Sequence, residues 1–145
     1  MKAAGHPRRT RIKRLVACLL LLSAYPVFVF ATVYWHWFGA DLPGGRNGPA
    51  DAYRHSLASA TVAYTGSPTW VAWVTAVMEG DGHGNDSSAM DTHNNRIGTR
   101  IGAQAASWDA MQSAVWEAVR SGGIDAADDN QITWLPPERW QNRLY

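Results

Sequence analysis

"AMDTHNNRIGTRIG", residues 89–102, reads in two ways at once. Met90, Asn94, Ile97 and Ile101 recur at the spacing of one helix face. Yet Asp91, His93, Asn94 and Asn95 put short polar side chains mid-helix, where they compete with the backbone for hydrogen bonds. Asn94 falls inside the apolar stripe, so the pattern turns its amide inward, and Asp91 and Asn95 stand one turn apart on the adjoining surface. Buried amides and carboxylates are costly unless hydrogen-bonded, so partners must converge on them from other helices. Gly98 and Gly102, four apart, leave room for a neighbouring helix backbone. The stretch predicts a closely packed helix whose polar groups are either a site or a hydrogen-bonded strut.

Helical periodicity continues outward on both sides. "DAYRHSLASATVAY", residues 51–64, places Tyr53, Leu57, Ala60 and Tyr64 in one stripe, with Gly66 as its stop. "SPTWVAWVTAVMEG", residues 67–80, offers Ser67 as N-cap, Pro68 at the first helical position, and Trp70, Trp73, Val74 and Val77 on one face. The opening stretch extends to 87–104 with Ser87 as cap, and a last helix runs from the cap Ser107 to Gly122, with Trp108, Met111, Val115 and Val119 inward. Beyond it no period is sustained, and Pro136 and Pro137 forbid a helix; a loop docking Ile132, Trp134, Leu135 and Trp140 is expected. The fold class is therefore all-α, a small bundle of about four helices.

Charge divides the chain sharply. Residues 1–40 carry +6 with no acid and residues 41–145 carry −5, which the formal net charge of +1 conceals. Between the basic flank and Asp41, residues 15–38 ("LVACLLLLSAYPVFVFATVYWHWF") hold no Asp, Glu, Lys or Arg, and 24 such residues exceed the roughly 20 that cross a bilayer as a helix. One N-terminal transmembrane helix is expected, acting as a signal anchor, with Tyr34 to Phe38 as an outer aromatic belt and Pro26 tolerated within the span. The positive-inside rule orients it with the N-terminus cytoplasmic and the rest periplasmic or extracellular, as in a single-pass protein of a bacterial inner membrane. A cleavable signal peptide fits less well, because the apolar run is long and "VFA" and "FGA" are poor cleavage sites. The division is thus a basic N-terminus (1–14), the span (15–38), a Gly/Pro-rich linker (39–50) and a helical domain (51–145). With 145 residues, the chain holds one domain and little more. A single Cys excludes an internal disulfide framework.

Several chemistries find no motif. HExxH, GxSxG, Walker A and a strand-borne GxGxxG are absent, and "DGHGND" lacks the spacing of a calcium loop. A domain of charge −5 is a poor nucleic-acid binder. What remains is the polar constellation. His55, with Asp51 and Ser59 one turn away on either side, is the natural partner for Asp91, Asn94 and Asn95, and Glu79 ends the Trp-rich helix. A His beside a carboxylate serves as a general base, and a Glu in a partly apolar pocket as an acid. Alternatively His55, Glu79 and Asp91 supply nitrogen and oxygen ligands to a divalent metal. Arg54, paired with Glu79 or Asp91, would instead make the layer a strut.

"DAYRHSLASA", then "MEGDGHGND", then "MDTHNNRIGTRIG" resemble a bacterial domain family of unknown function, seen in envelope proteins, phage products and the C-termini of polymorphic toxins. Its signature runs D-A-x-R-H-A, a later H-E, then M-D-x-x-N-N-x-x-G-R. The resemblance covers about half of the chain and places Arg54, His55, Glu79, Asp91, Asn94 and Asn95 on signature positions. Met78 stands where the family often has His, and Thr99 where Gly precedes the Arg. No reaction comes with the family. The expectation is a membrane-anchored hydrolase acting on peptidoglycan or lipid, with His55, Glu79 and Asp91 catalytic and Arg54, Asn94 and Asn95 binding substrate. The rival is a non-catalytic module binding an envelope partner.

Overall fold

The computed structural model describes residues 7–66 and 86–141, and four α-helices run through them: α1 (Pro7–Gly39), α2 (Pro49–Thr65), α3 (Asp86–Gln104) and α4 (Trp108–Arg120). The expected helix at 67–80 lies outside the described residues. A two-residue parallel bridge joins β1 (Gly123–Ile124) to β2 (Thr133–Trp134), and a 3-10 turn spans Pro137–Arg139. The architecture is all-α, with one N-terminal helix, Arg11–Gly39, long and apolar enough to cross a membrane.

Helix α2 is the axis of the bundle. Its run of Ala, Ser and Thr is buried from Ala50 to Ala63 save for Arg54, because small side chains let α1, α3 and α4 all close on it. The tightest approach is made by α3. A Cβ on Gly98 would overlap the Ser56 carbonyl, and one on Gly102 the Ala60 carbonyl, so glycine is what allows the two backbones to meet. The two contacts advance together along both chains, so α2 and α3 run in the same direction.

Helix α4 starts where its sequence says, with the Ser107 hydroxyl accepting from the Ala110 N–H. It buries Met111, Val115 and Val119, one stripe at four-residue spacing. Trp108 is only partly buried, its ring 5.7 Å from Tyr64 and 6.0 Å from Phe28. Trp116 meets Tyr53 edge-on at 5.5 Å, and burial pushes the Tyr53 hydroxyl above its ordinary pKa of 10.0.

Helix α1 is more than an appendage, because its second half belongs to the core. Val29 and Val33 are buried against the bundle. The Trp37 indole donates to the Ala50 carbonyl at 2.9 Å, and the Tyr25 and Thr65 hydroxyls pair at 2.8 Å, so α1 and α2 are antiparallel. Gln112 of α4 donates to the His36 ring at 2.6 Å. The Gly/Pro-rich stretch after α1 is fastened rather than slack: Ala50 and Asp51 N–H groups donate to the Pro43 and Gly44 carbonyls, and the Trp140 ring covers Gly44 and Gly48.

Alanine at Gly98 or Gly102 is expected to force α2 and α3 apart at a cost of about 1–3 kcal/mol, the usual range for overpacking. Thermal unfolding of each variant checks this, and an unchanged melting temperature would refute the close approach.

Candidate functional site

Asp51 sits in the first turn of α2, below the loop that enters the helix. Asn47 in that loop has φ 64°, a left-handed conformation Asn tolerates better than most residues. Its N–H thereby points at Asp51 Oδ2, 2.6 Å away, while its carbonyl accepts from the Leu135 N–H. The other Asp51 oxygen accepts from the Arg54 guanidinium, one turn on. Arg54 therefore pairs with Asp51 and, among the described residues, not with Asp91, and its guanidinium lies 5.8 Å from the Trp37 ring centre. A carboxylate fixed on both oxygens is a rigid reference for its neighbours.

His55 follows one turn later on the same face. Its Nε2 lies 3.6 Å from Asp51 Oδ1 and 3.6 Å from Asp91 Oδ1 on α3. The imidazole is thus held between two carboxylates, Asp51 buried and Asp91 reaching solvent. The close approach at Gly98 is what brings α3 near enough for Asp91 to arrive. One nitrogen and two oxygen donors within 4.8 Å of one another fit a divalent cation with an open position. Against a dication stands Arg54, already bonded to Asp51.

The asparagines work differently from each other. Asn94 is fully buried, its Nδ2 donating to the Thr133 carbonyl at 2.8 Å and its Oδ1 accepting from the Thr133 N–H at 3.0 Å. A side-chain amide here plays the part of a neighbouring strand and pins the C-terminal segment to α3. Asn95 accepts from the Ser59 hydroxyl at 2.9 Å, tying α3 to α2 one turn beyond His55. His93 pairs with the Gln131 carbonyl at 2.8 Å, and Arg96 reaches Asp129 at 3.0 Å, so both hold the same C-terminal loop. Glu79 lies outside the described residues. Asp51, which opens the D-A-x-R-H stretch, joins the cluster; its i, i+4 spacing to His55 and its place in that stretch are the signals the sequence offers.

A cavity of about 710 Å³ opens between the start of α3 and the C-terminal segment, lined by Met90, His93, Asp125, Leu135, Glu138 and Arg139 among others. Asp51, His55 and Asp91 do not line it.

Comparison with known families finds one match, over residues 36–122, to a family described as a domain of unknown function (DUF6973). No curated protein and no solved structure matches the chain.

Replacing Asn94 by Ala leaves the Thr133 N–H and carbonyl buried without their partner, at a cost of about 1–3 kcal/mol for each unsatisfied group. The Thr133 amide should then exchange hydrogen far faster than in the parent, and equal protection would refute the clamp. Asp at this position keeps the acceptor and loses the donor, so it should fall between the two.

Proposed function

The chain belongs to the DUF6973 family, a domain of unknown function, and we propose that it is a membrane-anchored hydrolase of the bacterial envelope whose centre is Asp51, His55 and Asp91. The observation that carries this reading is the imidazole held at 3.6 Å from each of two carboxylates, one locked and one reaching solvent. Asp51, fixed by Asn47 and Arg54, orients the ring. Asp91 and His55 then take a proton from water as its oxygen adds to the scissile carbonyl or phosphorus. The bond to the leaving oxygen breaks, and the same proton passes to that oxygen, so water is the only co-reactant. Glu79, by its place in the family signature, is a further acid candidate.

The placement rests on the chain's polarity. The +6 flank, the charge-free run and the outer aromatic residues favour a single-pass signal anchor with a cytoplasmic N-terminus and a periplasmic or extracellular domain. A C-terminal alkaline phosphatase fusion should be active and a C-terminal green fluorescent protein fusion dark; the reverse pattern would overturn the orientation.

A non-catalytic binding module is the second reading, favoured by one fact: both Asp51 oxygens are already engaged, as in a strut. The two readings separate under substitution. His55→Gln and Asp91→Asn should each lower activity by about 10²-fold or more, the usual contribution of general acid–base catalysis. Envelope damage on export, compared at equal protein level alongside thermal unfolding, is the measurement. Folded variants as potent as the parent would leave the binding module.

A further inference from the structure

Residues 25–38 of α1 present two faces with different partners. Tyr25, Val29, Val33 and Trp37 form the stripe that packs on the bundle. The opposite face carries Val27, Phe30, Tyr34, Trp35 and Phe38, all exposed, with Trp35 at 79% and Phe38 at 75%. Phe30, Tyr34 and Phe38 run in a ladder of ring contacts near 6 Å. This face continues the exposed apolar residues Leu15, Val16, Leu19 and Leu20, and no Asp, Glu, Lys or Arg occurs in the sequence between Leu15 and Phe38. An aromatic face continuous with a charge-free helix matches the lipid–water boundary of a bilayer.

The depth follows from helix geometry. A hydrocarbon core of about 30 Å takes roughly 20 helical residues, so a span that begins just after Arg14 ends near Tyr34. Two contacts set the level of antiparallel α2 against that scale: Thr65 beside Tyr25 and Ala50 beside Trp37. Counting residues from either contact puts His55 level with residues 32–35 of α1, within one turn of Tyr34. On α2 itself no charged residue follows His55 as far as Thr65. Exposed Arg100 on α3, between Gly98 and Gly102 and so also below His55, and exposed Asp109, next to Trp108 on α4, limit the immersion to the α1 side.

We propose that α1 seats the bundle in the outer leaflet instead of tethering it at a distance, and that the ligand of the Asp51–His55–Asp91 cluster is the polar head of a lipid. This rests on the reading of α1 as a membrane anchor and of the cluster as a hydrolytic site, and it selects lipid over peptidoglycan as the substrate. A bond in the headgroup layer is within reach of His55 at that height, whereas a polymer must come down to the membrane surface.

The full chain, reconstituted in vesicles of phosphatidylglycerol and phosphatidylethanolamine, tests both halves. In a Cys18→Ser background, an environment-sensitive probe is placed by Trp35→Cys, Phe38→Cys or, as a water-facing control in the C-terminal loop, Asp129→Cys. Lipids spin-labelled near the headgroup should quench the first two several-fold more than the control. Equal quenching at all three overturns the seating and leaves the catalytic reading untouched. Mass spectrometry of vesicles and of purified peptidoglycan, each incubated with the chain, should find lipid headgroup cleavage that His55→Gln abolishes. Cleaved peptidoglycan with intact lipid overturns the headgroup assignment while upholding hydrolysis at the cluster.

Discussion

The contact on which the arrangement depends is between backbones, where Gly98 and Gly102 rest on the Ser56 and Ala60 carbonyls. Every polar link between α2 and α3 lies within reach of it. Asp91 comes to His55, Asn95 to Ser59, and the Ser56 hydroxyl to the Asn94 carbonyl at 3.4 Å, all along the same seam. A gap wider by a methyl group would lengthen these separations together, so the seam holds the site's geometry more than any single hydrogen bond does. The parallel run of the two helices has a further effect: positions advance in step, and on α3 the glycine contacts follow Asp91 about two and three turns on.

Around this seam, charge is arranged so that few ions stand alone. Arg54 balances Asp51, and its guanidinium lies over the Trp37 ring and reaches the Gly45 carbonyl, so loop, α1 and α2 meet at one guanidinium. By contrast the pairs Arg96–Asp129, Arg120–Glu117 and Arg139–Asp86 are exposed and worth at most about 1 kcal/mol each. The electrostatic weight of the fold is therefore concentrated where α2 begins, beside the candidate site.

Much of this was legible in the sequence because it depends on local rules. The Ser107 cap, the inward stripe of α4, the inward turn of Asn94 and the close approach at Gly98 and Gly102 all follow from spacing along one helix. The docking of Ile132 and Leu135 follows from apolar residues in a segment whose prolines forbid continuing an α-helix, although a 3-10 turn forms at Pro137–Arg139. What escaped leaves no periodic mark in the sequence. The role of Asp51 is set by the left-handed Asn47, which no periodicity marks. The β1–β2 bridge is two residues long, too short for alternation to show. The docking of α1 was hidden because a helix that is apolar all round carries no pattern to say which side meets protein.

The Asn94–Thr133 clamp bears on the order in which the chain acquires its shape. Its partners are 39 residues apart, and the neighbouring Leu135 N–H bonds Asn47, 88 positions back. The two bonds can coexist only when α3 and the loop entering α2 are already side by side, since one short segment reaches both. The C-terminal segment is in this sense a latch that closes on a finished bundle. Long loops are costly to close early, so such a latch sets late in folding and releases early in unfolding. A chain still emerging from synthesis would accordingly have its helices before its lock.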